Sequence, residues 1–221
     1  MAVVALSLML VTILATGGVA RSDTAPSTDL SLSATPDPIV LGKATELKGK
    51  LVNKNGDIVS GKRVLLEQKV GGTALWVPVP SMPDVGALTN AGGKFSLAGV
   101  KPQNNTLYRA RYFQGSQDYT SDAVPANVKV KTPITLSKNR IKEGNGIDIS
   151  GSVRPGQPDV EIRLTIQGNK KRVMKIVDLD DSKFVYRFTP IKVGKYNVTA
   201  HYNSNEINLG NSSITRTLRV R

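Results

Sequence analysis

Residues 93–113, GKFSLAGVKPQNNTLYRARYF, decide the fold because they have a counterpart in residues 182–202, SKFVYRFTPIKVGKYNVTAHY. The alignment of the two stretches places Tyr108 on Tyr196, 88 positions further along the chain. Earlier in each copy, Leu32 aligns with Leu136 at an offset of 104, so the first copy carries 16 extra residues. We place this insertion in residues 71–93. The chain is therefore predicted to contain an internal repeat.

Short runs of alternating apolar and polar residues fill both copies, and Gly, Asn, Asp and Pro separate them. Examples are TELKGKLV at 45–52 and VEIRLTI at 160–166. Helical periodicity is hard to find, and alternation with a period of two is typical of half-buried β-strands. Residues 29–132 and 133–221 are therefore predicted to form two β-sandwiches of about seven strands each, with almost no linker at Thr132–Pro133.

Both copies resemble the immunoglobulin-like domains that are repeated in bacterial and archaeal secreted and surface proteins. The resemblance rests on IVLGKATELKGKLVNKNGDIVSGKRVLLEQ and GKFSLAGVKPQNNTLYRARYFQGSQDYTS in the first copy, and on SKNRIKEGNGIDISGSVRPGQPDVEIRLTI and FTPIKVGKYNVTAHY in the second. It implies an all-β chain of two tandem immunoglobulin-like β-sandwiches after an N-terminal apolar segment. The second copy departs at NSNEINLGNSS, where Tyr119 of the first copy has no counterpart. The resemblance does not specify function, because such modules serve as spacers, stalks, adhesins and filament subunits.

The run of residues 104–121, NNTLYRARYFQGSQDYTS, interleaves aromatic side chains with arginines. In a strand, Tyr108, Ala110 and Tyr112 share one face and are expected to point into the core, while Arg109, Arg111 and Phe113 share the other. A nucleic-acid platform needs aromatic rings and cations on one exposed face, so no specific nucleic-acid recognition is expected. By the resemblance, Tyr108 and Tyr196 are tyrosine-corner residues whose hydroxyls bind backbone a few residues upstream.

The N-terminal residues 2–20 carry no charge, and small residues at Gly18 and Ala20 fit a signal-peptidase site. Residues 1–20 are therefore predicted to be a signal peptide or an apolar anchor, followed by a polar linker at 21–28. If the segment is retained, it is an apolar helix or inserted strand through which filament subunits assemble. Contact with a membrane is expected only through residues 2–20. The expected location is secreted or at the cell surface.

The chain is strongly basic, with 30 Lys and Arg against 17 Asp and Glu and a formal net charge of +13. Such a balance favours anionic partners, here cell-envelope or matrix polymers, although copies of the chain itself are an alternative partner. The densest run, GNKKRVMK, is predicted to be a hairpin tip. Its candidate polyanion-binding residues are Lys170, Lys171, Arg172 and Lys175. A solvated tip that also protects a strand edge is the preferred explanation of this run.

An enzyme is not expected from the residue inventory. The chain has no Cys and one His, His201, and it has no G-x-S-x-G motif. The acidic run with Asp178, Asp180 and Asp181 and the NKNGD stretch at 53–57 could offer oxygen ligands to calcium, but both sit where hairpin turns are predicted, and turn chemistry is preferred. No catalytic residue, metal ligand or cofactor is therefore assigned.

Two further groups of residues are candidates for contact with the outside. The N-x-S/T triplets mark Asn104, Asn197 and Asn211 as possible glycosylation sites on exposed positions. Trp76 and Met82 in the insertion are possible partner contacts if that hairpin stands free of the sandwich, whereas core packing of Trp76 is the preferred interpretation. The function predicted is a non-enzymatic, structural or adhesive protein. A filament subunit and a polyanion- or glycan-binding module are the alternatives.

Overall fold

The computed structural model describes residues 28–80, 86–155, 161–168 and 172–221. All regular secondary structure in these ranges is β-strand. None of the described residues forms a helix that is long and apolar enough to cross a membrane. The predicted leader and the linker residues 21–27 lie outside the described residues. Alternation explains the strands, because β8 (Thr106–Gln114) buries every second residue from Thr106 to Tyr112.

The described residues of the first sandwich form eleven short strands in two main layers. They are β1 (Asp29–Thr35), β2 (Ile39–Val40), β3 (Thr45–Val52), β4 (Arg63–Val70), β5 (Val77–Pro78), β6 (Ala87–Leu88), β7 (Lys94–Val100), β8, β9 (Gln117–Thr120), β10 (Val124–Ala126) and β11 (Val128–Lys129). One sheet has the order β1-β3-β7, and the other has the order β10-β8-β4-β5 with β6 on β4 and β9 on β8. The parallel pair of β2 and β11 closes one edge. The inserted segment supplies β5 and β6, which both pair with β4.

The second sandwich repeats this plan with nine strands in the part that the structure describes. They are β12 (Ile134–Leu136), β13 (Arg140–Ile141), β14 (Ile147–Ser152), β15 (Glu161–Gln167), β16 (Arg172–Asp178), β17 (Lys183–Phe188), β18 (Gly194–Tyr202), β19 (Asn211–Ser212) and β20 (Arg216–Val220). One sheet has the order β12-β14-β17, and the other has the order β13-β20-β18-β15-β16 with β19 on β18. In immunoglobulin nomenclature, both sandwiches place strands A, B and E against strands G, F and C.

Each sandwich has its own apolar core between its sheets. Leu47, Leu66 and Tyr108 are fully buried in the first core, and Ile149 and Leu164 in the second. The inward positions that alternation predicts for Tyr108, Ala110 and Tyr112 are confirmed, since all three are buried while Phe113 is 47% exposed. Two separate cores, with no helix among the described residues, make the chain an all-β protein of two tandem sandwiches.

A glycine and a phenylalanine face each other at the same place in both sandwiches. Gly49 pairs with Phe95 across β3 and β7, and Gly151 pairs with Phe184 across β14 and β17. A Cβ atom on either glycine would collide with the phenyl ring and with a carbonyl of the leading strand. The ring therefore fills the space that the glycine leaves.

The leading strands do not follow the offset expected from the sequence. Leu32 pairs with Gly49, and the residue that pairs with the equivalent Gly151 is Ile134. The aligned partner of Leu32 is therefore Ile134, and the alignment on Leu136 is wrong by one step of the strand period. Leu136 lies two residues after Ile134, so both side chains point to the same face of β12. The hydrophobic pattern alone therefore could not distinguish the two registers.

The last strands of the two copies also correspond, although their sequences differ. Ser121 accepts a hydrogen bond from the Ala110 amide through its hydroxyl at 2.9 Å, and Ser213 does the same for the Ala200 amide. In both cases the serine amide also donates back to that alanine carbonyl. A serine thus replaces part of the strand ladder at the same position in each sandwich.

The shared serine bonds place Ala110 on Ala200, so Tyr108 corresponds to Val198. The alignment of Tyr108 on Tyr196 is therefore wrong by two residues, one step of the strand period.

Candidate functional site

The outer face of the first sandwich carries a network of paired charges on strands β4, β8 and β9. Arg109 donates to Glu67 Oε2 at 2.7 Å, and Arg111 donates to Glu67 Oε1 at 2.9 Å. Arg111 also binds both carboxylate oxygens of Asp118, at 3.2 and 2.5 Å. These hydrogen bonds hold the pKa of Asp118 below its usual value and raise the pKa of Arg111, with Asp118 the larger cause and Glu67 the second.

Two aromatic rings flank the same arginines. The Arg109 guanidinium lies 4.3 Å from the centre of the Trp76 ring, and the Arg111 guanidinium lies 4.8 Å from that of Phe113. Trp76 is half-buried against the sheet, so its hairpin does not stand free at that point. Met82, the other predicted contact, lies outside the described residues. Because their charges are already paired, these arginines offer little to a phosphate backbone.

The predicted basic hairpin exists, but its cations do not form one cluster. Strands β15 and β16 pair from Gln167 with Arg172 onwards, and Lys170 and Lys171 lie outside the described residues. Arg172 and Lys175 are both exposed, yet they are three positions apart on an extended strand. They therefore point to opposite faces of the sheet, and the expectation of a single four-residue patch is corrected in this respect.

A basic row that the sequence analysis missed lies on the outer face of the second sandwich. Arg140, Arg219 and Lys195 are in register on the adjacent strands β13, β20 and β18, and all three are exposed. Asn139 and Thr217 complete the lining of a shallow depression of about 300 Å³ there. These cations are far apart in sequence and none lies in a charge run, so no sequence signal distinguishes them.

The sequence predicted exposed positions for the three N-x-S/T asparagines. In the structure all three are half-buried. The Asn211 amide nitrogen donates to the Val130 carbonyl at 2.9 Å, and that nitrogen is where a glycan would attach. Asn197 accepts a hydrogen bond from Thr217 at 3.1 Å. Asn104 precedes β8, and Thr106 of its triplet is buried and donates to the Asn104 carbonyl. Strand pairing brings all three close to other parts of the chain, which their local sequence does not reveal.

The two predicted tyrosine corners differ. The Tyr196 hydroxyl donates to the Lys192 carbonyl, four residues upstream, at 2.8 Å. The Tyr108 ring is instead fully buried, and its hydroxyl has no hydrogen-bond partner among the described residues. Burial raises the pKa of Tyr108 to about 12, an effect that the nearby Thr106 hydroxyl partly counteracts. The expectation that the Tyr108 hydroxyl binds a backbone group upstream is therefore wrong, because its ring points into the core between the two sheets.

The possible sites of catalysis and metal binding consist of local strand and turn contacts. His201 Nδ1 lies 2.8 Å from Ser212 Oγ, because the two residues are direct cross-strand neighbours on β18 and β19. Asn53 Oδ1 accepts the backbone N–H groups of Asn55 and Asp57. The second acidic stretch turns at Asp181, and Asp180 and Lys183 exchange both backbone hydrogen bonds at 2.8 Å. Among the described residues, no group of three His, Asp or Glu is placed to hold a metal.

The two sandwiches are joined by hydrogen bonds from one loop of the second sandwich. Residues 203–210 reach back to the first sandwich, where the Asn105 amide donates to the Ile207 carbonyl at 2.7 Å. Leu209 extends the connecting segment, donating to Val128 at 2.9 Å and accepting from Val130 at 3.1 Å. Asn208 is fully buried, and its side chain donates to the Gln103 and Val128 carbonyls. This loop is NSNEINLG, the stretch at which the second copy departs from the first.

No protein-family model and no curated protein sequence matches the chain. Among solved structures, the adhesin InvE of Yersinia pseudotuberculosis matches with a TM-score of 0.41 and 12% identity over 87% of this chain, which spans 60% of that adhesin's length. A two-domain fibronectin type III segment of chicken tenascin matches with a TM-score of 0.48 and 18% identity over 86% of this chain and 97% of that one. The Escherichia coli adhesin FdeC matches with a TM-score of 0.38 and 11% identity over 87% of this chain and 64% of that one.

The strand order and the two separate cores define the class: the chain consists of two tandem immunoglobulin-like β-sandwiches. Of the three solved structures named above, two are adhesins and one is a fibronectin type III segment. Identities of 18% and less carry no information about a shared ligand.

Proposed function

We propose that this chain is a non-enzymatic, secreted or surface-attached protein with a structural or adhesive role. Its two sandwiches would act as a stiff unit that presents outer sheet faces to anionic polymers of the envelope or matrix. The observation that carries this proposal is the hydrogen-bonded junction formed by residues 203–210. The adhesins among the structures that the chain resembles agree with it but do not establish it.

The junction supports a presenting role through its geometry. Backbone hydrogen bonds of 2.7–3.1 Å join the loop to Asn105, Val128 and Val130, and Lys131 and Arg154 exchange two more at 2.9 Å. Sandwiches joined by a free linker reorient by default, since few contacts cross between them. A connection paired on both sides keeps the orientation of the two modules constant. A spacer or adhesive module needs that property to hold a binding face away from a surface.

The non-enzymatic part of the proposal follows from what surrounds the candidate groups. A serine nucleophile needs a histidine base that a third group orients. His201 contacts Ser212 on an open sheet surface, and among the described residues no carboxylate pairs with its ring. The contact is explained by strand register alone.

The native N-terminus and the cell fraction test the location. We expect mass spectrometry of protein from the source cells to find a chain that begins at Arg21 in the culture medium or the envelope fraction. An intact chain recovered with the cytosol would contradict a secreted or surface role. The same measurement decides whether residues 2–20 remain available to anchor the protein.

A filament subunit is the second candidate, and the edge of the second sandwich favours it. Strand β16 ends its sheet, and its outward Met174 and Ile176 are 58% and 61% exposed. Val185 on β17, the edge of the other sheet, is 67% exposed. An open edge with apolar side chains is a template for strand addition by another chain.

Assembly at rising concentration tests this second candidate. Sedimentation should show higher oligomers that Ile176→Lys abolishes, because a lysine in the middle of an edge strand blocks edge pairing. Asp178→Asn, at the end of the same strand, changes the net charge by the same single unit and serves as the control. A monomer at all concentrations would contradict strand addition, and a native chain starting at Arg21 would contradict assembly through residues 2–20.

A further inference from the structure

The strongest unassigned feature is the basic row on the outer face of the second sandwich. Arg140 pairs with Arg219 between the parallel strands β13 and β20, and Arg219 pairs with Lys195 between β20 and β18. Paired residues on neighbouring strands point to the same face, so three cations stand side by side. Like charges placed directly opposite each other destabilise a sheet. A row of three cations therefore indicates a role other than stabilising the fold.

The row is not neutralised by the protein itself. None of Arg140, Lys195 and Arg219 forms an ion pair within the described part of the chain. The first sandwich shows the opposite arrangement, because Arg109 and Arg111 on its outer face are paired with Glu67 and Asp118. The basic row is thus available to an external anion, whereas the arginines of the first sandwich are already occupied.

The same face continues as a polar track across the sheet. Thr217, Asn197, Gln167 and Arg172 are paired in turn across β20, β18, β15 and β16. Neighbouring strands are about 4.8 Å apart, so the five strands from β13 to β16 give a track about 19 Å wide. Carboxylates on this face of the described strands occur only at the far ends of β15 and β16, where Glu161 pairs with Asp178.

We propose that this face binds a linear anionic polysaccharide that lies across the strands, with its carboxylate or sulfate groups on Arg140, Arg219, Lys195 and Arg172. Thr217, Asn197 and Gln167 between them offer hydroxyl and amide groups that suit sugar hydroxyls. No Trp, Tyr or Phe lies on this face of the described strands. The rings on which bases of a single-stranded nucleic acid stack are therefore missing there. The inference deepens the proposed function, since it names the polymer class and the face that contacts it.

The test compares polymers that differ in charge and in backbone. The purified chain is titrated by fluorescence anisotropy with labelled polygalacturonate, dextran sulfate, neutral dextran and a single-stranded DNA of about 20 nucleotides. We expect binding to one or both anionic polysaccharides, weaker binding to DNA, and none to neutral dextran. Which of the two binds tighter distinguishes carboxylate from sulfate as the natural group. Combining Arg140→Ala, Lys195→Ala and Arg219→Ala should weaken binding about tenfold or more and reduce its salt dependence.

The matched control removes the same charge from the first sandwich. Lys50, Lys54 and Lys94 are exposed, and Lys50 and Lys94 are also cross-strand neighbours. Their combined replacement by Ala should leave polysaccharide binding within about twofold of the unaltered chain, because these lysines belong to the first sandwich and not to the basic row. Unchanged thermal unfolding of both triple variants excludes loss of fold.

Several outcomes would overturn the proposal. They are no binding to either anionic polysaccharide at physiological salt, tighter binding to DNA than to both, and equal losses in the two triple variants. Failure of binding together with recovery of the chain outside the cytosol would refute this site and leave the proposed function standing. Recovery of the chain in the cytosol would refute the proposed function itself.

Discussion

Tyr108 of the first sandwich and Tyr196 of the second differ in what their hydroxyls contact. Tyr196 is half-buried and donates to the Lys192 carbonyl, whereas Tyr108 is fully buried without a partner among the described residues. A net hydrogen bond stabilises a fold by about 1 kcal/mol, while a buried polar group without a partner costs a comparable amount. The same side chain is therefore stabilising in one copy and costly in the other.

Replacing each tyrosine by phenylalanine should separate the two cases. Tyr196→Phe should lower the free energy of unfolding by about 0.5–1.5 kcal/mol, because it deletes the bond to Lys192. Tyr108→Phe should leave stability unchanged or raise it, since the burial cost of the hydroxyl disappears. Urea denaturation measures both, and an equal loss in the two variants would show that Tyr108 does have a partner in solution.

High pH provides an independent measurement on the same residue. The folded pKa of Tyr108 is about 12, above its usual value of 10.0, because burial disfavours the phenolate. The neutral ring binds its proton more tightly in the folded state, so its contribution is complete below about pH 10 and is lost as the pH rises towards about 12. Tyr108→Phe should therefore lose less stability between about pH 10 and 12 than the unaltered chain, as followed by thermal unfolding across that range.

At the scale of elements, the glycine–phenylalanine pair connects strands B and E in both sandwiches. Gly49 and Gly151 leave room for the rings of Phe95 and Phe184, and the leading strand lies close on the other side. Because protein interiors are closely packed, an added methyl group at either glycine requires the backbone to shift. We infer that the pair sets the spacing of β1 on β3 and of β12 on β14.

Alanine at either glycine should therefore destabilise its sandwich by about 2 kcal/mol or more. Gly92→Ala is the control, because the nearest atom to its added Cβ is Asn90 Oδ1 at 3.4 Å, and it should cost less than about 0.5 kcal/mol. Differential scanning calorimetry can follow the two sandwiches. A cost at Gly49 no larger than that at Gly92 would contradict the packing role.

At the scale of the whole molecule, the loop of residues 203–210 determines how the sandwiches are joined. It pairs with the connecting segment and with the loop before β8, and its Asn208 is fully buried at the junction. Loops carry function because a rigid scaffold positions them. We therefore expect this loop to keep the two sandwiches in a fixed relative orientation.

Asn208→Ala should loosen this junction without unfolding either sandwich. The hydrogen bonds from the Asn208 side chain to the Gln103 and Val128 carbonyls would be lost, and only the Val128 carbonyl would keep a second donor among the described residues, the Leu209 amide. We expect a cost of about 1–3 kcal/mol. Asn203→Ala at an exposed position of the same loop serves as the control. NMR relaxation should give separate tumbling times for the two sandwiches of Asn208→Ala, and a single shared time for the unaltered chain and the control. A single shared tumbling time in all three proteins would contradict this role of Asn208.

Much of the architecture was predictable from the pattern of side chains. Alternation is a local property of an extended chain, so the order of residues within 106–114 is enough to indicate which side chains face the core. The internal repeat added the number of sandwiches, because two stretches that bury the same pattern need two cores. The pairing of β15 with β16 was predictable from the Gly-Asn pair in the sequence, which is also a local signal.

The candidate sites were much less predictable. The run at residues 168–175 drew attention because its cations are adjacent in sequence, yet strand geometry sends Arg172 and Lys175 to opposite faces. The row of Arg140, Lys195 and Arg219 was missed because its members come from three strands. The junction loop was missed because its sequence differs from the first copy where its contacts are new.

The sequence by itself therefore determined the class of fold, the inward and outward faces of the strands and the strongly basic balance, since each depends on local spacing or on composition. Only the tertiary structure decided which cations stand together, which arginines are neutralised, which tyrosine hydroxyl finds a partner and how the two sandwiches are joined. These properties depend on strand pairing between residues up to about a hundred positions apart, and a local pattern does not encode that register.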